Sequence, residues 1–207
     1  GQERLTWRNR SAVPVRAVYL HLYLNAFRNT GSTFFHEKND LGLSFRSDVP
    51  VRKDGWGWID MTSVRQGGAA VRQTFVQPDG GPATDMTVVR LDLPQAVAPG
   101  QSTTLDIDFA AQLPRVIART GWFGSFHLVG QWFPKIAVLE LPGERGATAP
   151  RWNAHEFHLD SEFYADFGSY DVTLDVPSDY RVGATGVLQG APETFHQRTR
   201  YRYVQDL

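Results

Sequence analysis

His155-Glu156-Phe157-His158 is where the residue types of this chain come nearest to metal chemistry. A zinc peptidase needs H-E-x-x-H on a helix, because a spacing of four puts both imidazoles on one face with the glutamate as base. Here the spacing is three. The neighbours Phe157, Phe163 and Tyr164 favour a strand, on which positions 155 and 158 face opposite sides. The expectation is structural histidines rather than ligands, and no other His, Asp or Glu group has convincing ligand spacing. Cysteine is absent, which removes disulfides, thiol nucleophiles and cysteine-ligated zinc together. No G-x-S-x-G elbow exists for a serine hydrolase. In Gly124-Ser125-Phe126-His127 the serine and histidine face the same way on an extended chain without useful contact. Gly67-Gly68 has neither a following lysine nor a helix to donate amides to a phosphate. The expectation from these residues is therefore no catalytic group and no metal ligand in this segment.

A denser signal is aromatic. Trp122, Phe123, Phe126, Trp132 and Phe133 crowd together, with glycines at 121, 124 and 130. Such residues bury large areas and anchor interfaces. The plainer reading is a core corner; the sharper one is a loop that packs on a neighbouring domain and lines a substrate cleft. Trp56-Gly57-Trp58 allows the same two readings, with core packing favoured. Arg198, Arg200 and Arg202 read as a solvated strand face.

The elements that must position these residues are strands. Val18, Leu20, Leu22 and Leu24 alternate with polar or tyrosine positions, as do Leu105, Ile107 and Phe109, then Val172, Leu174 and Val176, then Tyr201 and Tyr203. A period of two marks strands with one face in a core. Pro78-Asp79-Gly80-Gly81-Pro82 separates the strand around Phe75 from that around Val89, Ala98-Pro99-Gly100 reads as a hairpin connection, and Pro142 to Gly146 as a longer exposed loop. No long segment carries helical spacing free of Gly and Pro. The chain is expected to be all-β, with at most one helical turn.

The 207 residues fit one domain, since β-sandwiches run to about 200–250 residues. No apolar run approaches the ~18 residues of a membrane helix. A formal net charge of -1 provides no broad field for nucleic acid or an acidic membrane. Gly1-Gln2-Glu3-Arg4 is no leader, so the start is expected to follow a removed leader or to lie inside a longer protein. The abrupt end at Leu207, just after a strand, is expected of a fragment boundary.

Several stretches together resemble the amino-terminal β domain of the M1 (gluzincin) zinc aminopeptidase family. They are Leu20 to Phe27; Leu93-Pro94 through Pro99-Gly100 to Phe109 and Leu113-Pro114; Gly130-Gln131-Trp132-Phe133-Pro134; Trp152-Asn153; and Val182 to Gly186. The most specific is Tyr164-Ala165-Asp166-Phe167-Gly168-Ser169-Tyr170-Asp171-Val172, similar to the family's aromatic-Ala-Asp-Phe-Gly-x-Tyr-Asp-Val strand. Lys135-Ile136-Ala137-Val138 stands where many members carry Cys-x-Asp-Glu, which places the chain in a divergent, bacterial-type branch.

The resemblance implies a saddle-shaped, twisted β-sandwich of antiparallel and mixed sheets, occupying residues 1–207. It would pack on a following thermolysin-like catalytic domain of the same chain and form part of a peptide-binding cleft. No cofactor is implied for this segment; zinc is expected in the catalytic domain, with the H-E-x-x-H helix and the G-x-M-x-N loop. No catalytic residue is carried over. Residues 121–135 correspond to the cleft-facing region, which makes Gln131, Phe123 and Trp122 the substrate-cleft candidates. Peptide is the implied substrate; neither nucleic acid nor a membrane segment is expected. Two alternatives stand beside this: a stand-alone β-sandwich binding module for carbohydrate or protein, and the scaffold domain of a catalytically dead relative. The tryptophans sit in glycine-rich corners and beside prolines, which argues against a flat sugar platform.

Overall fold

A computed structural model describes residues 1–41 and 55–206; Leu207, where the sequence stops, lies outside them. The chain divides into two compact units, Gly1–Ala165 and Asp166–Leu207. The strands of the first are β1 (Gln2–Arg8), β2 (Val15–His21), β3 (Trp58–Gln66), β4 (Ala69–Ala70), β5 (Arg72–Phe75) and β6 (Val88–Val97). They continue with β7 (Ser102–Gln112), β8 (Gly121–Phe123), β9 (Phe126–Leu128), β10 (Lys135–Ile136), β11 (Val138–Glu140) and β12 (Arg151–Asn153). Two four-stranded antiparallel sheets, β1-β7-β3-β4 and β10-β2-β6-β5, carry most of these, with β8-β9 and β11-β12 as separate pairs.

The alternation decides which face is inside. Leu105, Ile107 and Phe109 of β7 are buried with Ile59 and Val64 of β3, and one apolar cluster joins them to Val18, Leu20, Val89 and Leu91 of the other sheet. Each fully buried Leu or Ile contributes roughly 1.5–3 kcal/mol relative to exposure. The outer face of the β1–β7 pair carries matched polar partners in register: Arg4 with Asp106, Gln2 with Asp108 and Thr6 with Thr104. These inner and outer faces make the unit an all-β sandwich.

Three local expectations change. The alternation through Leu24 stops at His21, where a 3-10 turn (Tyr23–Phe27) takes over with all five residues buried. Asn25 makes this possible: its amide donates to the Ile59 and Met86 carbonyls and accepts from Ile59 N–H, replacing strand hydrogen bonds with side-chain ones. Second, a two-turn helix, α1 (Thr33–Leu41), exceeds the single turn expected. Its start is fixed by Ser32, whose carbonyl accepts the first helical N–H groups, and by the buried Asp85 carboxylate, which accepts Thr33 N–H at 2.9 Å. Third, Ala98-Pro99-Gly100 is not a hairpin. It joins β6 to β7, which lie in different sheets. The β1–β2 link also changes sheet, and the two links are tied together by Asn9, whose backbone bonds Gly100 and Gln101 and whose amide donates to the Val97 carbonyl.

The second unit is a small antiparallel sheet. β13 (Tyr170–Pro177), β14 (Val187–Leu188) and β15 (Glu193–Phe195) all pair with β16 (Arg198–Gln205). Tyr201 and Tyr203 are buried, while Arg198, Arg200 and Arg202 are exposed and pair with Asp175 and Asp171. This is the solvated strand face that the sequence leads one to expect.

Candidate functional site

The aromatic region separates into an inner and an outer half. Trp132 and Phe133 pack inward: the Trp132 ring lies 6.0 Å from Phe109 and 5.6 Å from Phe133. Phe123 and Phe126 go the other way. They sit at the tip of the β8–β9 hairpin and are 68% and 63% exposed. Val116, Leu128 and Val129, close by in the chain, are exposed as well. Trp122 is half-buried between the two, and the Arg115 guanidinium lies 5.1 Å from its ring and 5.7 Å from that of Phe123. Trp56 follows the core reading, with its ring edge-on to Phe35 at 5.6 Å.

The hairpin is held in place at its base by glycine. Gly121 has φ +125°, and a Cβ there would fall 2.5 Å from the Pro114 carbonyl oxygen. Trp122 N–H donates to that same carbonyl. Beyond the hairpin the chain turns through Gly130 and Gln131 into β10, the edge of the second sheet, where Lys135 faces His21 across the pair. Gln131 accepts a hydrogen bond from Lys135 Nζ at 2.6 Å. The three cleft candidates are thus placed on one stretch: Trp122 and Phe123 on the hairpin, Gln131 at the turn that leaves it.

His155 and His158 behave differently from the strand expectation. Residues 154–158 form no strand, so the two imidazoles are not driven to opposite faces. Both converge on Asp79, from the Pro-Asp-Gly-Gly turn: His155 Nδ1 at 2.6 Å and His158 Nε2 at 3.0 Å. His158 Nδ1 also lies 2.6 Å from Glu37 of α1. The buried Glu156 accepts N–H bonds from Asp79 and Gly81. Burial lifts the Glu156 pKa, and the neighbouring Asp79 carboxylate adds to it, against the pull of those amides. The knot joins α1, the turn after β5 and the segment after β12. Phe157, expected to favour a strand, stacks on Phe34 of α1 and on Phe163 instead. Among the described residues no three His, Cys, Asp or Glu side chains form a group that could hold a metal ion. Asp79 and Glu37 escaped sequence reasoning because their partners lie far along the chain; the only local signal was an aspartate in a tight turn.

A third histidine, His21 of β2, is buried and stacked 4.8 Å from Tyr23, with both ring nitrogens lacking hydrogen-bond partners of good geometry. Burial pushes its pKa down to about 4, which keeps it neutral. Each of the six tryptophans is half-buried, so none stands as an open sugar platform.

No family model matches the sequence, and no curated protein matches it either. Solved structures do. The fold is similar to that of the M1 zinc metallopeptidase from Deinococcus radiodurans, with a TM-score of 0.50 and 15% identity over 100% of this chain and 34% of that one. A mutant two-domain M1 zinc metallopeptidase bound to L-arginine is similar to the same degree, with a TM-score of 0.50, 15% identity, and coverage of 100% and 34%. The chain therefore spans about a third of the length of the solved structures that it matches. At this identity the likeness establishes the fold. No helix among the described residues is long and apolar enough to cross a membrane.

Proposed function

We propose that residues 1–207 are the non-catalytic amino-terminal domain of a zinc-dependent M1-type aminopeptidase. The domain packs on a following catalytic domain and forms part of the cleft that receives the peptide. The observation that carries this reading is the likeness of fold along the whole chain to one third of an M1 zinc metallopeptidase. Support comes from the β8–β9 hairpin, whose exposed Phe123 and Phe126 are what a surface that docks another domain requires.

In this reading the division of labour is simple. Zinc, held elsewhere in the protein, supplies Lewis-acid polarisation of the scissile carbonyl and an activated water. This domain supplies walls, orientation and exclusion of solvent. Gln131, Phe123 and Trp122 face the peptide, the first through its carboxamide and the others as apolar wall.

The test is made on the full-length gene product. Its reading frame is expected to encode an H-E-x-x-H helix beyond Leu207, and the protein to release amino acids from aminoacyl p-nitroanilides until a chelator removes the metal. A frame without those ligands, or a protein inert towards every aminoacyl substrate, overturns the reading.

A further inference from the structure

Gln131 adopts φ +54°, the left-handed region that a long L side chain seldom enters. Strain of that kind persists only where the surroundings impose it, and it gathers at functional sites. Here the surroundings are specific. A Cβ on Gly130 would fall 2.8 Å from the Arg119 carbonyl oxygen, so the chain passes close at that point. The buried Thr120 hydroxyl donates to the Gly130 carbonyl at 2.7 Å. Trp132 follows at once and packs on Phe109.

The Gln131 side chain is fixed as well. Its Oε1 is taken by Lys135 Nζ at 2.6 Å. Its Nε2 donors have no partner among the described residues, so the carboxamide is left as a hydrogen-bond donor. Lys135 is itself unusual. It is half-buried, its ammonium lies 5.5 Å from the Phe133 ring, and it forms no ion pair among the described residues. Burial holds its pKa below the ordinary lysine value. A cation kept partly from water without a counter-ion attracts a carboxylate and repels a second cation.

We infer that Lys135 is a positioning and specificity-determining residue. It turns the Gln131 carboxamide so that Nε2–H meets a carbonyl oxygen of the bound peptide. Its unpaired charge favours acidic and neutral peptide side chains beside Gln131 over basic ones. The inference rests on the peptidase reading above.

The test uses the full-length gene product with leucyl, glutamyl, lysyl and arginyl p-nitroanilides. Lys135→Met is expected to raise kcat/KM for the lysyl and arginyl substrates relative to leucyl by about tenfold, and to lower the glutamyl ratio. Lys135→Arg, which keeps the charge, is expected to retain the wild-type ratios. In a Gln131→Ala background, Lys135→Met is expected to cost the leucyl substrate nothing further, since the group being positioned is gone. If Lys135→Met does not fold, Lys135→Gln takes its place. Substrate ratios unchanged within about twofold in a folded neutral variant overturn the specificity role, and additive losses overturn the positioning role. An active enzyme with charge-blind ratios overturns this inference alone. A protein inert to all four substrates overturns the peptidase reading and this inference with it.

Discussion

His158 has a carboxylate at each ring nitrogen, Glu37 at 2.6 Å and Asp79 at 3.0 Å. Only the imidazolium can donate to both. Burial alone would push its pKa down, but the bonds to Asp79 and Glu37 outweigh it and hold the pKa above 6.5. Asp79 moves the opposite way: burial raises it, and the bonds to His158 and His155 more than reverse this, holding it below 3.8. The histidine contributes stability that is fully present below pH 6.5 and is lost as pH rises through its raised folded pKa. The aspartate contributes stability that is present above pH 3.8 and is lost as pH falls through its folded pKa. Both act between those limits. Thermal melts of the wild type and His158→Gln should therefore differ most at about pH 5–6 and converge as pH rises past the raised pKa. His155 and Glu156 face the same knot but are common to both proteins. A gap that stays constant from about pH 5 to 9 would mean that His158 acts by packing and not by charge.

At the scale of elements, the β8–β9 hairpin depends on one backbone position. Gly121→Ala places a Cβ 2.5 Å from the Pro114 carbonyl oxygen, at φ +125°. The clash is with backbone, so no rotamer relieves it. The variant is expected to lose about 2 kcal/mol or more in denaturant unfolding, and limited proteolysis should then cut between Arg115 and Leu128 first. Unchanged stability with an intact hairpin would show that the base of the hairpin is not fixed here. Strands were legible where apolar and polar positions alternate along them. β7, β13 and β16 announce themselves through a period of two. Periodicity fails where every side is covered: Tyr23–Phe27 is wholly buried, so nothing in the pattern marks the change from strand to 3-10 turn. The two turns of α1 are too short for a helical period, and its Asp85 cap lies far along the chain. Pro99-Gly100 announces a reversal but not a partner, which is why a sheet-changing link reads as a hairpin. The meeting of His155 and His158 at Asp79 fails for a related reason, since the shared partner is 76 residues from the first and 79 from the second.

At the scale of the whole molecule, the large apolar side chains at the hairpin tip stand largely in water among the described residues. Val116, Phe123, Phe126, Leu128 and Val129 are exposed, while the aromatics that the core needs, Trp132 and Phe133, turn inward from the same segment. Soluble monomers rarely leave contiguous apolar patches of this kind uncovered unless a partner covers them. Residues 1–207 alone should therefore bind a hydrophobic dye and self-associate with rising concentration. Phe123→Ser with Phe126→Ser should suppress both. Because the two side chains are mostly in water, the double variant should change unfolding free energy by no more than about 0.5 kcal/mol. On the peptidase reading proposed above, the same pair in the full-length protein should instead loosen docking on the catalytic domain, seen as faster proteolysis between the two. A double variant that unfolds the chain would place these rings in its core. One that leaves association and domain docking untouched would remove the hairpin as the covered face.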